Sequence, residues 1–184
     1  MTPTETPSMG RGFWIGVLAM VVVVTGSNIL VAYQINDWLT WAAFTYPVAF
    51  LVTDLTNRAL GTATARRVVY VGFAVAVVLS VYFAGWRIGL ASGTAFMAAQ
   101  LLDVLIFDKL RRAAWWQAPL VSSGLASALD TLLFFSLAFA GTAVPWITLA
   151  LGDYAVKVAM ALVLLLPFRA LLSVTKPRVV AASG

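Results

Sequence analysis

The stretch RGFWIGVLAMVVVVTGSNILVAYQ, Arg11–Gln34, decides the fold. No charge falls between Arg11 and Asp37. The apolar run exceeds the ~20 residues with which a helix crosses a hydrocarbon core. A cleaved secretory leader would begin with basic residues, continue with a shorter apolar core and end at a small-residue cleavage site. Here the preceding residues, MTPTETPSMG, are polar with two prolines and read as a disordered tail. The stretch is therefore expected to be a retained transmembrane helix. The whole chain agrees, because 62% of its 184 residues are hydrophobic and 10% are charged. Soluble domains carry about 25% charged residues, so a chain this apolar has lipid as its natural solvent.

Working outward, the apolar runs between charges predict an all-α membrane protein with six transmembrane helices. The spans are Gly12–Gln34, Trp38–Asn57, Val68–Trp86, Ser92–Leu110, Trp115–Ala140 and Trp146–Phe168. The loops are short, which predicts one domain, residues 12–172, with antiparallel neighbours. Residues 1–11 and 173–184 are expected to be cytoplasmic tails. In this arrangement Arg11, Arg58, Arg66, Arg67, Lys109, Arg111, Arg112, Arg169, Lys176 and Arg178 share one side, and the other holds Arg87. Basic residues accumulate in cytoplasmic loops, so both termini are assigned to the cytoplasm and the protein to the inner membrane. Trp14, Trp38, Trp41, Trp86, Trp115, Trp116 and Trp146 all fall near predicted helix ends, at the headgroup level that tryptophan prefers.

Several side chains are out of place in lipid. A charge near the bilayer centre costs at least ~2.5–3.5 kcal/mol on insertion scales. Yet Asp54, Asp103, Asp130, Asp153 and Lys157 lie within the spans, with the amides Asn28 and Gln100. Asp54 can pair with Arg58, and Asp153 with Lys157, each four residues apart on one helix face. For Asp103, water or Arg111 and Arg112 are the available partners. Asp130 has no base on its own helix within reach, so Lys157 on the next span is its expected partner, unless it keeps a proton or meets a ligand. Pro47, in Phe44–Pro47 (FTYP), frees the carbonyl of Ala43 at mid-span. Such breaks expose backbone polar groups to substrate in transporters and also occur as simple kinks. Ala91, Ala95 and Ala99 lead to Asp103, and Ser123 and Ser127 lead to Asp130. Small-residue faces let helices approach closely, which places these acids inside the bundle. The same faces are compatible with a homodimer.

Other chemistries are absent. The chain has no cysteine and no histidine, which removes thiolate, disulfide and His-based metal chemistry. It has no phosphate loop, no HExxH and no carbonyl filter. Leu151-Gly152-Asp153 lacks the leading glycine of intramembrane aspartyl proteases. No enzyme activity, cofactor, metal or nucleic-acid partner is expected. Four membrane acids against one lysine leave a formal −3, so a neutral or cationic ligand rich in N–H donors suits the interior. A carboxylate can accept two parallel N–H bonds from a guanine-like edge.

FTYPVAFLVTDLTNRALG (Phe44–Gly61), SGTAFMAAQLLDVLIFDKLR (Ser92–Arg111), SALDTLLFFSLAFAG (Ser127–Gly141) and GDYAVK (Gly152–Lys157) resemble the queuosine precursor transporter family. The resemblance extends over about residues 28–170. It implies a six-helix carrier for 7-cyano- or 7-aminomethyl-7-deazaguanine, with a fold similar to the substrate-binding components of energy-coupling vitamin transporters. Carried onto this chain, it implies that Asp130 reads the guanine-like edge, helped by Gln100, Asn28 and Lys157. Phe44 or Tyr46 would stack on the rings, and Asp54, Asn57, Asp103 and Asp153 would serve the cytoplasmic exit or coupling. Two other readings stay open: a binding subunit that needs a separate ATPase module, and a membrane scaffold that transports nothing.

Overall fold

A computed structural model describes residues 10–30, 33–36 and 39–173. Of the expected tails, 1–11 and 173–184, residues 1–9 and 174–184, with Lys176 and Arg178, lie outside the described residues, as does Trp38. The elements are α1 (Arg11–Leu30), a hairpin of β1 (Gln34–Asn36) and β2 (Leu39–Thr40), α2 (Ala42–Thr45), α3 (Val48–Leu60), α4 (Thr62–Ala84), α5 (Trp86–Leu110), α6 (Gln117–Phe139) and α7 (Trp146–Leu171). Five of these, α1, α4, α5, α6 and α7, are long and apolar enough to cross a membrane. Large apolar side chains such as Leu18, Val78, Leu132 and Leu166 cover the outside, the surface that lipid requires. The chain is a multi-pass membrane protein.

The second expected span departs from an unbroken helix. It consists of α2 and α3, interrupted at Tyr46-Pro47, both of which keep right-handed helical dihedrals. Proline has no N–H, so the carbonyl of Ala43 loses its partner in the helix. The turn tightens, with Ala49 N–H donating to Tyr46 O and Phe50 N–H to Pro47 O, each three residues back. Ala42 to Leu60 nevertheless spans about 28 Å at 1.5 Å per residue, close to a hydrocarbon thickness. The predicted first span ended too late: α1 stops at Leu30 and Gln34 belongs to the hairpin. Trp86 opens α5 rather than closing the span before it.

Single glycines join α3 to α4 and α4 to α5. Gly61 and Gly85 have φ of 87° and 85°, a region that side chains bearing a Cβ rarely enter. Each accepts the reversal that allows consecutive helices to follow without a loop, and Arg66 and Arg67 consequently lie inside α4. The contacts at each end of the bundle establish its polarity. Gly12 lies against Leu60, Arg111 bonds Asn57 and Arg169 stacks over Trp115. The described basic residues outside the spans therefore gather at one end. At the other end Arg87 donates to the carbonyls of Leu137 and Ala140.

The apolar core forms where α1, α3, α4 and α5 meet, around Met20, Ala49, Val68, Val69 and Phe96. Phe50, Ala99 and Ala126 bind α3, α5 and α6 together. Phe107 and Phe168, ring centroids 6.1 Å apart, close the basic end between α5 and α7. Ala91, Ala95 and Ala99 are all buried within the protomer, so this small-residue stripe is consumed internally and gives no argument for a dimer. α5 is central and α7 peripheral: half of the apolar window of α5 is buried, against 11% for α7.

Close packing of α4 on α5 sets a test. A Cβ at Gly89 would stand 2.8 Å from the backbone nitrogen of Val81, which cannot swing aside as a side chain would. Gly89→Ala should destabilise the protein by about 1–3 kcal/mol, the range for overpacking, despite the better helix propensity of alanine. Thermal unfolding in detergent measures it; an unchanged or raised midpoint would contradict the contact.

Candidate functional site

Polar groups inside the bundle form four separate groups. The first joins α6 and α7. Lys157 Nζ lies 2.7 Å from Asp130 Oδ2 and 2.5 Å from Asp153 Oδ2. It also donates to Thr131 Oγ1 at 3.2 Å, and Thr131 donates to Asp153 at 2.9 Å. An ammonium has three donors, and all three are used. The expected Asp130–Lys157 pair is therefore present, and Asp153 shares it. Through its Oδ2, Asp130 is thus part of a helix-joining network.

A second group lies between α3, α5 and α6. Asp54 and Asp103, 1% and 0% exposed, lie side by side. Asp54 accepts long bonds from Ser122 and Ser123, at 3.4 and 3.5 Å. Neither oxygen of Asp103 has a hydrogen-bond partner. Asp54 does not pair with Arg58, although the spacing allowed it, and Arg111 and Arg112 do not reach Asp103. The α3 face that carries Asp54 is turned toward α6, and Arg111 is engaged elsewhere. One turn away, Thr53 donates to Gln100 Oε1 at 2.6 Å, leaving Gln100 Nε2 buried and unpartnered.

At the basic end Asn57 is fully buried and saturated. Its Nδ2 donates to Val104 O at 3.0 Å. Its carbonyl and Oδ1 accept from Arg111 at 2.7 and 2.9 Å. Arg111 also pairs with Asp108. Asn57 thus latches α3 to α5.

Toward the opposite end Asn28 donates to Val24 O and accepts from Ser80 at 2.6 Å. It lies between α1 and α4 and does not join Asp130 or Gln100. Phe44 is exposed and packs on Trp41, centroids 6.2 Å apart, so it faces outward rather than stacking inside. Tyr46 packs edge-on against Phe96, near enough to Asp130, Asp153 and Lys157 to feel their charges.

One cleft opens among these groups, between α3, α6 and α7. Pro47, Phe50, Asp54, Ser123, Ser127, Lys157 and Phe168 line it, with Leu164 and Leu165 on α7. Its enclosed volume is about 10 Å³, room for about one water molecule, so a larger guest enters only if the helices part. Ser127, 1% exposed, leaves its Oγ without a partner. The sequence reading singled out Asp130 and missed Phe50 and Phe168 as cleft walls. It saw Ser123 and Ser127 only as packing residues. The available signal was that Asp54, four and seven residues from Phe50 and Pro47 respectively, continues the face interrupted by the proline.

The apolar helices and this partly polar interior define a multi-pass membrane protein. A sequence profile described as putative vitamin uptake transporter matches residues 40–85 and 79–172. The chain is 35% identical to the queuosine precursor transporter of Escherichia coli (strain K12), over 84% of this chain and 83% of that one. It is 36% identical to a probable queuosine precursor transporter of Haemophilus influenzae, over 70% of this chain and 66% of the relative. A probable queuosine precursor transporter of Bacillus subtilis is 26% identical over 64% of this chain. No solved structure matches. The chain belongs to the queuosine precursor transporter family.

The shared ammonium sets a stability test. Lys157→Met leaves Asp130 and Asp153 without their cation and should cost about 3–5 kcal/mol, as removal of one partner from a buried pair does. Adding Asp130→Asn should recover part of that loss, a coupling of about 0.5–3 kcal/mol. Unfolding midpoints of the four combinations measure it, and simple additivity would contradict the network.

Proposed function

We propose that this transporter imports 7-cyano- or 7-aminomethyl-7-deazaguanine across the inner membrane, with both termini cytoplasmic, and that the α3–α6–α7 cleft is its binding site. The observation that carries the reading is Ser127: a buried hydroxyl with no protein partner, on the wall of a cleft that also holds a carboxylate. A buried polar group left unpaired is costly, and a ligand would satisfy it. Asp54 offers acceptor oxygens for the N–H groups of a guanine-like edge. Ser123 and Ser127 add hydroxyls that donate or accept. Phe50 and Phe168 supply flat apolar walls in place of Phe44 and Tyr46. Lys157, its donors spent on α6 and α7, contributes positive charge at the wall rather than a free N–H.

The names of the relatives support the ligand class, and the position of the cleft beside the Pro47 break supports the location. In this reading the Asn57–Arg111 latch closes the basic end, and Asp130 and Asp153 hold α7 to α6 while the cleft opens. The fold is taken as similar to the substrate-binding components of energy-coupling vitamin transporters. Uptake by the purified protein in liposomes, with no ATPase present, separates an autonomous carrier from a dependent binding subunit.

The affinity test uses Ser127→Ala. It removes an unpartnered hydroxyl, so stability should stay the same or rise. The substrate loses one hydrogen bond, about 0.5–1.5 kcal/mol, or roughly two- to tenfold in Kd. Calorimetry with 7-cyano-7-deazaguanine reads it, and unchanged affinity would remove Ser127 from the site.

Orientation is tested on the cysteine-free chain. Ala113→Cys and Thr142→Cys each place a thiol in an exposed loop, at opposite ends of α6. A membrane-impermeant thiol reagent should label intact cells at position 142 and spare position 113 until the membrane is permeabilised. The reverse pattern would invert the topology.

A further inference from the structure

We propose that Asp54 and Asp103 together bind one proton, and that this proton is the ion whose movement drives uptake through the cleft. The inference rests on the reading of the cleft as the substrate site. Two carboxyls lie side by side between α3, α5 and α6 with essentially no exposure. Their neighbours cannot neutralise two negative charges. From α6 come two neutral hydroxyls, Ser122 and Ser123, at long range from Asp54 and close to Asp103 as well. From α5 comes the Gln100 amide, its oxygen anchored by Thr53 and its Nε2 left without a partner. On α3 itself Arg58 makes no ion pair with either acid among the described residues. From α7 the Lys157 ammonium reaches the same cleft as Asp54 but is committed to Asp130 and Asp153. Arg111, on the chain just after α5, is committed to Asn57 and Asp108.

Like charges this close in a low-dielectric interior cannot both stay ionised, and a single proton then belongs to the pair rather than to either residue. One proton between them satisfies an oxygen of Asp103 that otherwise has no donor. It leaves Asp54 an acceptor oxygen on the cleft wall, beside Ser127, whose own Oγ is unpartnered. Substrate and proton are thus bound by one residue with two faces. The unprotonated pair would be doubly negative in a low-dielectric interior with no cation committed to it, so the proton accompanies the loaded site. In the cycle a carboxylate oxygen takes H⁺ from water on the outer side, the loaded cleft turns inward, and the O–H bond breaks to return H⁺ to cytoplasmic water. The net event is one proton and one substrate moved in the same direction.

Two measurements test it. Infrared difference spectroscopy of the purified protein without substrate should show the carbonyl stretch of a protonated carboxylic acid at neutral pH, lost in Asp103→Asn and in Asp54→Asn. Proteoliposomes should accumulate 7-cyano-7-deazaguanine down an imposed inward proton gradient, by up to about tenfold per pH unit for one proton per cycle. Asp103→Asn, whose side chain does not line the cleft, should bind substrate yet no longer accumulate it. Absence of the infrared band, accumulation that follows a sodium gradient instead, or full accumulation by Asp103→Asn would overturn the proposal. If the band is present but no 7-deazaguanine binds, the cleft's assigned substrate fails while the proton pair stands.

Discussion

Hydrocarbon offers no hydrogen bonds, so every polar group that this chain carries into the membrane has to be met by protein, by a proton or by a guest. That constraint governs the structure more than any single apolar contact. Lys157 is its clearest expression. One ammonium, with three donors, serves Asp130, Asp153 and Thr131. It thereby fixes the register of α7, the least buried of the five long helices, against α6. Apolar packing alone would hold α7 loosely, because lipid tails are as apolar as the helix they would replace.

The interior divides its polar groups by how completely they are satisfied. Asn57 and Asn28 are tied to backbone carbonyls and to side chains on other elements, and both serve as rivets. Asp54, Asp103, Gln100 and Ser127 retain unused capacity, and they lie around the one interrupted span. Pro47 explains the grouping. Its missing N–H loosens α2–α3 at mid-membrane, and the cleft forms there because Phe50 and Asp54 follow on the same side of α3 toward α6 and α7. The bonded groups hold the bundle, and the others keep hydrogen-bonding capacity that the protein itself does not use.

The sequence reading of Asp130 as the ligand's carboxylate meets a tertiary arrangement that spacing alone did not show. Sequence spacing showed that Asp130 lacks a partner on its own helix, and it identified Lys157 as a candidate on the next. It could not show that Lys157 would be captured by two acids at once. Conversely, Asp54 had an available partner in Arg58, four residues on. In the folded chain its carboxyl turns to α6, so the local rule gave way to tertiary direction.

Length, hydropathy, charge placement and the ends marked by tryptophan determined that this is a multi-pass helical membrane protein with its basic residues at one end. These properties follow from the solvent and from local spacing, both written along the chain. Family membership was legible for the same reason, since its motifs are contiguous. The three-dimensional arrangement decided which buried acid is spent on structure and which remains open. That depends on the rotation of each helix about its axis, which is set by packing such as Gly89 on Val81 and Phe50 on Ala126. No local pattern encodes that rotation, because it is the joint solution of many contacts between distant parts of the chain.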